Sequence, residues 1–258
     1  MDRFFTLGRT SNFRHMGGYD TASGRRTRSD RLYRSGYVNA PGAEVAAMFD
    51  RLGIATVYDF RSPVERVKHP LEVTDQVEVV ELGMLVASVE NLWDMLLAEG
   101  LTPAGAEKIM AERYRELTRE EVPGYRTMFQ HLTAGDGGAL VMCSFGKDRA
   151  GIASALLLHA LGVPAAQVEA DYLLSSTAYA DEDAAIGKFE QFFNAPLLFI
   201  PDQFEHRVGV ECLLNLLMEI EGRKLQKTNR LLQLRGHGQA LTQLELKRRF
   251  HVRARDRG

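Results

Sequence analysis

The chain has 258 residues, room for one generous domain or a core domain with a sizeable insertion. Apolar residues make up 45%, which excludes a disordered chain, and the formal net charge of −2 excludes a global field drawing it to nucleic acid or membrane. Two cysteines, Cys143 and Cys212, exclude a disulfide scaffold at this size and suit a reducing compartment.

The segment Met1 to Arg9 lacks the apolar core of a signal peptide. The longest strongly apolar run, Ala153 to Leu161, is far short of a bilayer span. The expectation is a cytoplasmic protein with no stable membrane insertion, with export by a leaderless route left open. From Asn12 to Tyr37 the chain is rich in Gly, Ser and Arg, which predicts a hairpin and loops, with Arg31 to Arg34 extended. Basic residues gather at Arg25-Arg26-Thr27-Arg28 and from Lys247 to Arg257, and read as a solvated turn and a frayed tail. Val45, Met48, Phe49 and Leu52 recur at helical spacing between Pro41 and Gly53, predicting a helix over Ala43 to Leu52. Ile54 to Phe60 and Val77 to Leu82 read as strands. Leu85 to His131 holds helical patterns broken at Gly100 to Pro103 and Val122 to Gly124, an insertion that could cover a site. Ala139 to Met142 is a strand, and Ala150 to Leu161 is a helix stopped by Gly162 and Pro164. Strands alternating with helices indicate an α/β fold, a parallel or mixed sheet flanked by helices. Ala165 to Arg249 reads as helical. Val208, Cys212, Leu216 and Ile220 share one face there, so Cys212 is expected to be a core thiol.

The chemistry concentrates between the last strand and the helix after it, in Cys143-Ser144-Phe145-Gly146-Lys147-Asp148-Arg149. Ligands of open α/β sheets sit at that end of a strand. A loop of this length can curl round an anion with its N–H groups inward, and the helix adds its positive N-terminus. That field favours a thiolate at Cys143. Gly146 permits the tight turn, and Arg149 can fork onto two phosphate oxygens. A glycine three residues and a basic residue six residues after a given cysteine coincide by chance roughly once in a hundred at this composition.

Met142 to Gly151 resembles the signature of the cysteine-dependent tyrosine phosphatases, and Lys147-Asp148 narrows the resemblance to their bacterial atypical branch. Asn12-Phe13-Arg14 with Gly17-Gly18, Arg31 to Ser35, Asp59-Phe60-Arg61-Ser62, Ala170 to Leu173 and Gly209-Val210 also resemble segments of that branch. The likeness runs from about Thr10 to Phe250. It implies a single phosphatase domain over residues 1–258, with a lid-like helical insertion at about 85–131. It also implies a two-step mechanism. Cys143 attacks phosphorus, while Arg149 and the loop residues Ser144, Phe145, Gly146, Lys147, Asp148 and Ala150 cradle the phosphate. Neither metal nor cofactor is implied. The resemblance favours Asp59 as general acid. Asp148 is the rival, with a loop-shaping role as its alternative, and Glu120 or Glu121 are outside candidates. Arg61 is an accessory candidate that either contacts the phosphate or pairs with a carboxylate.

Three positions depart from the pattern. Met142 stands for a loop-supporting His, Ala150 for a hydroxyl that eases phosphoenzyme breakdown, and His15 for a frequent Asp. The expected substrate is a phosphotyrosine protein. A phosphoinositide is the alternative, with Lys147, Arg25, Arg26 and Arg28 serving further phosphate. A catalytically weak phosphotyrosine-binding protein and rhodanese-like sulfur transfer are the competing readings. The seven histidines show no metal-ligand spacing, and the glycine pairs form no nucleotide loop. Trp93, with Leu92, Leu96 and Leu97, makes an apolar helix face expected to pack in the core or lid.

Overall fold

The computed structural model describes residues 3–83, 102–119, 122–179 and 251–253. Within them lie β1 (Arg14–His15), β2 (Arg25–Thr27), β3 (Leu32–Ser35), α1 (Gly42–Leu52), β4 (Ile54–Asp59), α2 (Pro63–Lys68) and β5 (Glu78–Glu81). Next come α3 (Pro103–Arg119), α4 (Val122–Ala134), β6 (Gly138–Met142), α5 (Arg149–Ala160), α6 (Ala165–Ala178) and β7 (His251–Arg253).

Five strands form a sheet in the order β1-β3-β6-β4-β5. β1 runs antiparallel to β3, and the other neighbours are parallel, so the sheet is mixed. Side chains of β6 alternate between two cores, as a pleated strand requires. Leu140 and Met142 pack with Val45 and Phe49 of α1. Ala139, Val141 and the following Cys143 pack on the other face with α3, α4, α5 and α6. The sheet is thus buried on both faces, which is why its middle strand β6 reads as a continuous apolar run.

Register fixes where the site can form. Ser35 and Asp59 both pair with Met142. Gly36, Phe60 and Cys143 therefore leave the sheet side by side at one edge. The described helices of the 85–131 segment pack into the main core. Met110, Tyr114 and Leu117 of α3 and Tyr125, Met128, Phe129 and Leu132 of α4 are buried in the main core. The Trp93 face, Glu120, Glu121 and the helical face around Cys212 lie outside the described residues.

The two basic stretches also differ from the expectation of a turn and a frayed tail. β2 pairs antiparallel with β7, so Arg25 to Thr27 and His251 to Arg253 form a two-stranded ribbon. No helix among the described residues is long and apolar enough to cross a membrane.

Candidate active site

Cys143 is 2% exposed and opens the turn between β6 and α5. Gly146 has a φ of 66°. A Cβ there would lie 2.3 Å from the backbone carbon of Ser35 and 2.4 Å from the nitrogen of Gly36, so the loop rests directly on the end of β3.

Four successive loop carbonyls are held from outside. The Tyr37 N–H donates to the Ser144 oxygen at 3.0 Å. The Tyr179 hydroxyl lies 2.6 Å from the Phe145 oxygen. Asn12 Nδ2 and Arg34 Nε donate to the Gly146 oxygen at 2.8 and 2.6 Å. Arg34 Nη2 donates to the Lys147 oxygen at 2.9 Å. In a trans peptide the N–H points opposite to the C=O. The N–H groups of Phe145 to Asp148 are therefore turned away from these clamps, an arrangement that can receive an anion. A bond from a charged donor contributes roughly 1.5–3 kcal/mol against about 1 for a neutral one, so Arg34 is the dominant clamp. Burial holds the Tyr179 hydroxyl above its usual range, with the charges of Cys143 and Asp148 adding to the effect, so it remains a neutral donor.

Positive charge is concentrated under the loop. Arg14 and Arg34 are both 0% exposed and share Asp171, whose Oδ2 lies 3.7 and 3.4 Å from them. Burial, with the neighbouring Arg34 charge, lowers Arg14 to about 9. Lys147 and Arg149 are also buried. Two guanidiniums for one carboxylate leave a surplus that suits an anion.

Arg149 makes a two-point ion pair with Glu65 of α2, at 2.6 and 2.7 Å. Its guanidinium also donates to Ser144 Oγ at 3.1 Å and to the Phe60 oxygen at 3.2 Å. Ser144 Oγ in turn bonds the Glu65 carboxylate. Glu65 is placed by its own helix start. The Ser62 N–H donates to Glu65 Oε2 at 2.7 Å and the Glu65 N–H to Ser62 Oγ at 3.2 Å, a capping box. Burial pushes the Glu65 carboxyl up. The Arg149 charge and bonds from Arg149, Ser144 and Ser62 outweigh it and bring it to about 2. For Arg149 burial works downward, and Glu65, followed by Cys143 and Asp148, drives the net shift upward.

The two acid candidates have different settings. Asp59 is 0% exposed, and its carboxylate accepts from Arg61 at the backbone N–H (2.9 Å), at Nε (3.0 and 3.1 Å) and at Nη2 (2.7 Å). Arg61 Nη1 is spent on the His69 oxygen at 2.6 Å. Of the two roles open to Arg61, carboxylate pairing is the one its contacts display. Asp148 is half-buried, precedes α5 and makes no side-chain cap bond to that helix. Its Oδ1 accepts from the Tyr114 hydroxyl.

Among the other expected site residues, Ser144, Gly146, Lys147 and Ala150 are buried and Phe145 is half-buried. Met142 lies in the apolar cluster under α1, on the face opposite Cys143, so the support a His would give the loop falls to Asn12, Arg34 and Tyr179. His15 is buried on edge strand β1, and its imidazole is held low by burial and by Arg3. Arg26 and Arg28 pair with Asp20 and Asp30. Their hairpin is anchored by the Ala22 N–H on the Gly162 oxygen, just past the C-terminus of α5. The loop sits at the other end of that 12-residue helix, about 18 Å away. A phosphate role for these arginines at the loop is thereby disfavoured.

Sequence reasoning passed over Glu65, Tyr114 and Tyr179. For Glu65 a signal existed, since Ser62-Pro63-Val64-Glu65 spells a capping box. Asn12 and Arg34 fell inside segments noted for their resemblance, without an assigned task.

A sequence model of the tyrosine phosphatase family matches residues 5–226. A Cupriavidus necator protein bearing a provisional tyrosine-protein phosphatase name is 33% identical over 195 residues, 74% of this chain and 70% of that protein. A tyrosine-protein phosphatase of Nostoc commune is 27% identical over 128 residues, 48% of this chain and 41% of its own length. The crystal structure of P. aeruginosa TpbA aligns with 79% of this chain and 97% of its own, at 16% identity and a TM-score of 0.38. A second P. aeruginosa TpbA structure, a complex with pTyr, aligns with 74% of this chain and 94% of its own, at 17% identity and the same TM-score of 0.38. The family model matches most of a chain whose cysteine, glycine and arginine lie in one clamped loop: this chain belongs to the tyrosine phosphatase family.

Proposed function

We propose that this protein hydrolyses phosphotyrosine in proteins through a phosphocysteine intermediate. The observation that carries the reading is the clamped loop. Four carbonyls are bonded from outside while Cys143 and Arg149 close its two ends. An anion cradle with a cysteine at its entrance suits attack on phosphorus.

Asp148 serves as general acid and base. It is half-buried within the loop, bound to no helix N–H, whereas the Asp59 carboxylate is buried and occupied by Arg61. In the first step the Cys143 thiolate forms the S–P bond as the P–O bond to tyrosine breaks. Asp148 gives its proton to the leaving oxygen. In the second step Asp148 takes a proton from water as the new O–P bond forms. The S–P bond breaks and returns the thiolate, releasing inorganic phosphate. Arg149, aligned by Glu65, and the loop N–H groups stabilise the equatorial oxygens.

The test is acid quenching of enzyme mixed with a radiolabelled phosphotyrosine peptide. Label should be trapped on the wild type and absent from Cys143→Ser, which still binds the peptide. Turnover by Cys143→Ser, or faster release from phosphoinositides than from phosphopeptides, would reject the reading. Phosphopeptide binding by the wild type without turnover would make this a binding protein.

A further inference from the structure

Asp148 has a partner that neither step uses. Tyr114 of α3 is 1% exposed, and its hydroxyl donates to Asp148 Oδ1. Tyr172 of α6 is also 1% exposed and donates to the Tyr114 oxygen at 3.2 Å. Three elements distant in sequence thus meet in one line of hydroxyls ending on the loop carboxylate. The line has a direction. Because Tyr172 donates its O–H to the Tyr114 oxygen, the Tyr114 O–H is left to donate to Asp148. The outer ring is fixed by packing. A Cβ on Gly151 would stand 2.7 Å from Tyr172 Cε2, so the ring lies flush against the first turns of α5. The Arg34 guanidinium sits 5.6 Å from the centroid of the same ring.

An aspartate turns freely about its terminal torsion, which has no sharp minima. A half-buried carboxylate that must give and take a proton at one place needs an outside donor to set its plane. We propose that Tyr114 is the positioning residue for Asp148: it holds Oδ1, so that Oδ2 carries the proton exchanged with the leaving oxygen and with water. This rests on Asp148 being the acid. The 85–131 segment thereby contributes to the chemistry through α3.

The experiment measures kcat/KM for phenyl phosphate and para-nitrophenyl phosphate, with poor and good leaving groups, in wild type, Tyr114→Phe, Asp148→Asn and the double variant. Acid catalysis is worth about 10²–10⁴-fold, and loss of its positioning should remove about 10-fold of that. Tyr114→Phe should lose about 10-fold on phenyl phosphate and under about 2-fold on the nitrophenyl ester, and lose nothing further in the Asp148→Asn background. Equal losses on both esters, or a full loss in that background, would overturn the proposal and reduce Tyr114 to a packing residue. If Asp148→Asn itself fails to discriminate between the esters, the acid assignment falls and the proposal falls with it. If Asp148→Asn discriminates and Tyr114→Phe does not, only the role of Tyr114 falls. Should Tyr114→Phe not fold, Tyr172→Phe replaces it. Freeing the Tyr114 hydroxyl from its guide should produce the same ester selectivity at about 3-fold, and no selectivity would overturn the proposal.

Discussion

Glu65 and Arg149 meet fork to fork, with Nη1 2.6 Å from Oε2 and Nη2 2.7 Å from Oε1, and both side chains are buried. Breaking one side of a buried pair strands the other charge, which costs roughly 3–5 kcal/mol. Glu65→Gln should therefore lower stability by about that amount and reduce kcat/KM on the order of 10-fold, as Arg149 loses its alignment. The sign with pH follows from the depressed carboxyl, at about 2 against an ordinary 4.5. A lowered folded-state value means that the contribution is complete above about 4.5 and drains away as pH falls towards 2. Urea unfolding of both proteins from pH 7 downwards should show a gap that narrows below about 4.5. A constant gap would mean that the ionised carboxylate is not what stabilises the fold.

Gly146→Ala tests how closely the loop rests on β3. The new methyl would meet backbone atoms of Ser35 and Gly36 at 2.3 to 2.5 Å, and no side-chain rotation can relieve that. The left-handed conformation adds roughly 1–2 kcal/mol of strain. We expect a loss of at least about 10²-fold in kcat, together with a lower Tm. Near-normal activity would show that the loop can shift without losing its function.

Asn12 is the only described non-glycine residue with positive φ, at 57°. Asn12→Gly and Asn12→Ala both delete the bonds to the Gly146 oxygen (2.8 Å) and to Ser175 Oγ (3.1 Å). Only alanine keeps a Cβ in that strained region. The alanine variant should be less stable than the glycine variant by roughly 1–2 kcal/mol, with both similarly impaired in kcat. Equal melting curves would show that residue 12 relaxes out of the left-handed region.

Asp59→Asn should behave as a structural variant. It leaves Arg61, 1% exposed, facing an amide in place of a carboxylate. The expected result is reduced stability and a loss that is the same for phenyl and nitrophenyl esters. A loss confined to phenyl phosphate would return the acid role to Asp59.

The loop motif was legible because its chemistry is contiguous. Cys143, Gly146 and Arg149 lie three residues apart within one seven-residue segment, and the strand before and helix after them follow from local apolar patterns. The same holds for α1, β4 and β6, whose bounds agree with the expected ones to within a residue or two. What the pattern could not disclose is which distant side chains converge on that loop. Asn12 and Arg34 lie more than a hundred residues from the carbonyls they hold, and Tyr179 lies 34 residues beyond its own. Asp59 illustrates the limit most directly. Its place at a strand end follows from the run Ile54 to Phe60, but the Arg61 guanidinium folded back onto its carboxylate follows from local geometry that a motif does not encode. The sequence by itself determined the family motif from Cys143 to Arg149 and the sheet edge from which it leaves. Only the tertiary structure decided the partners of Arg149 and Asp148, because those pairings are made by packing between α2, α3, α6 and the loop, where burial makes an unpaired charge too costly to leave.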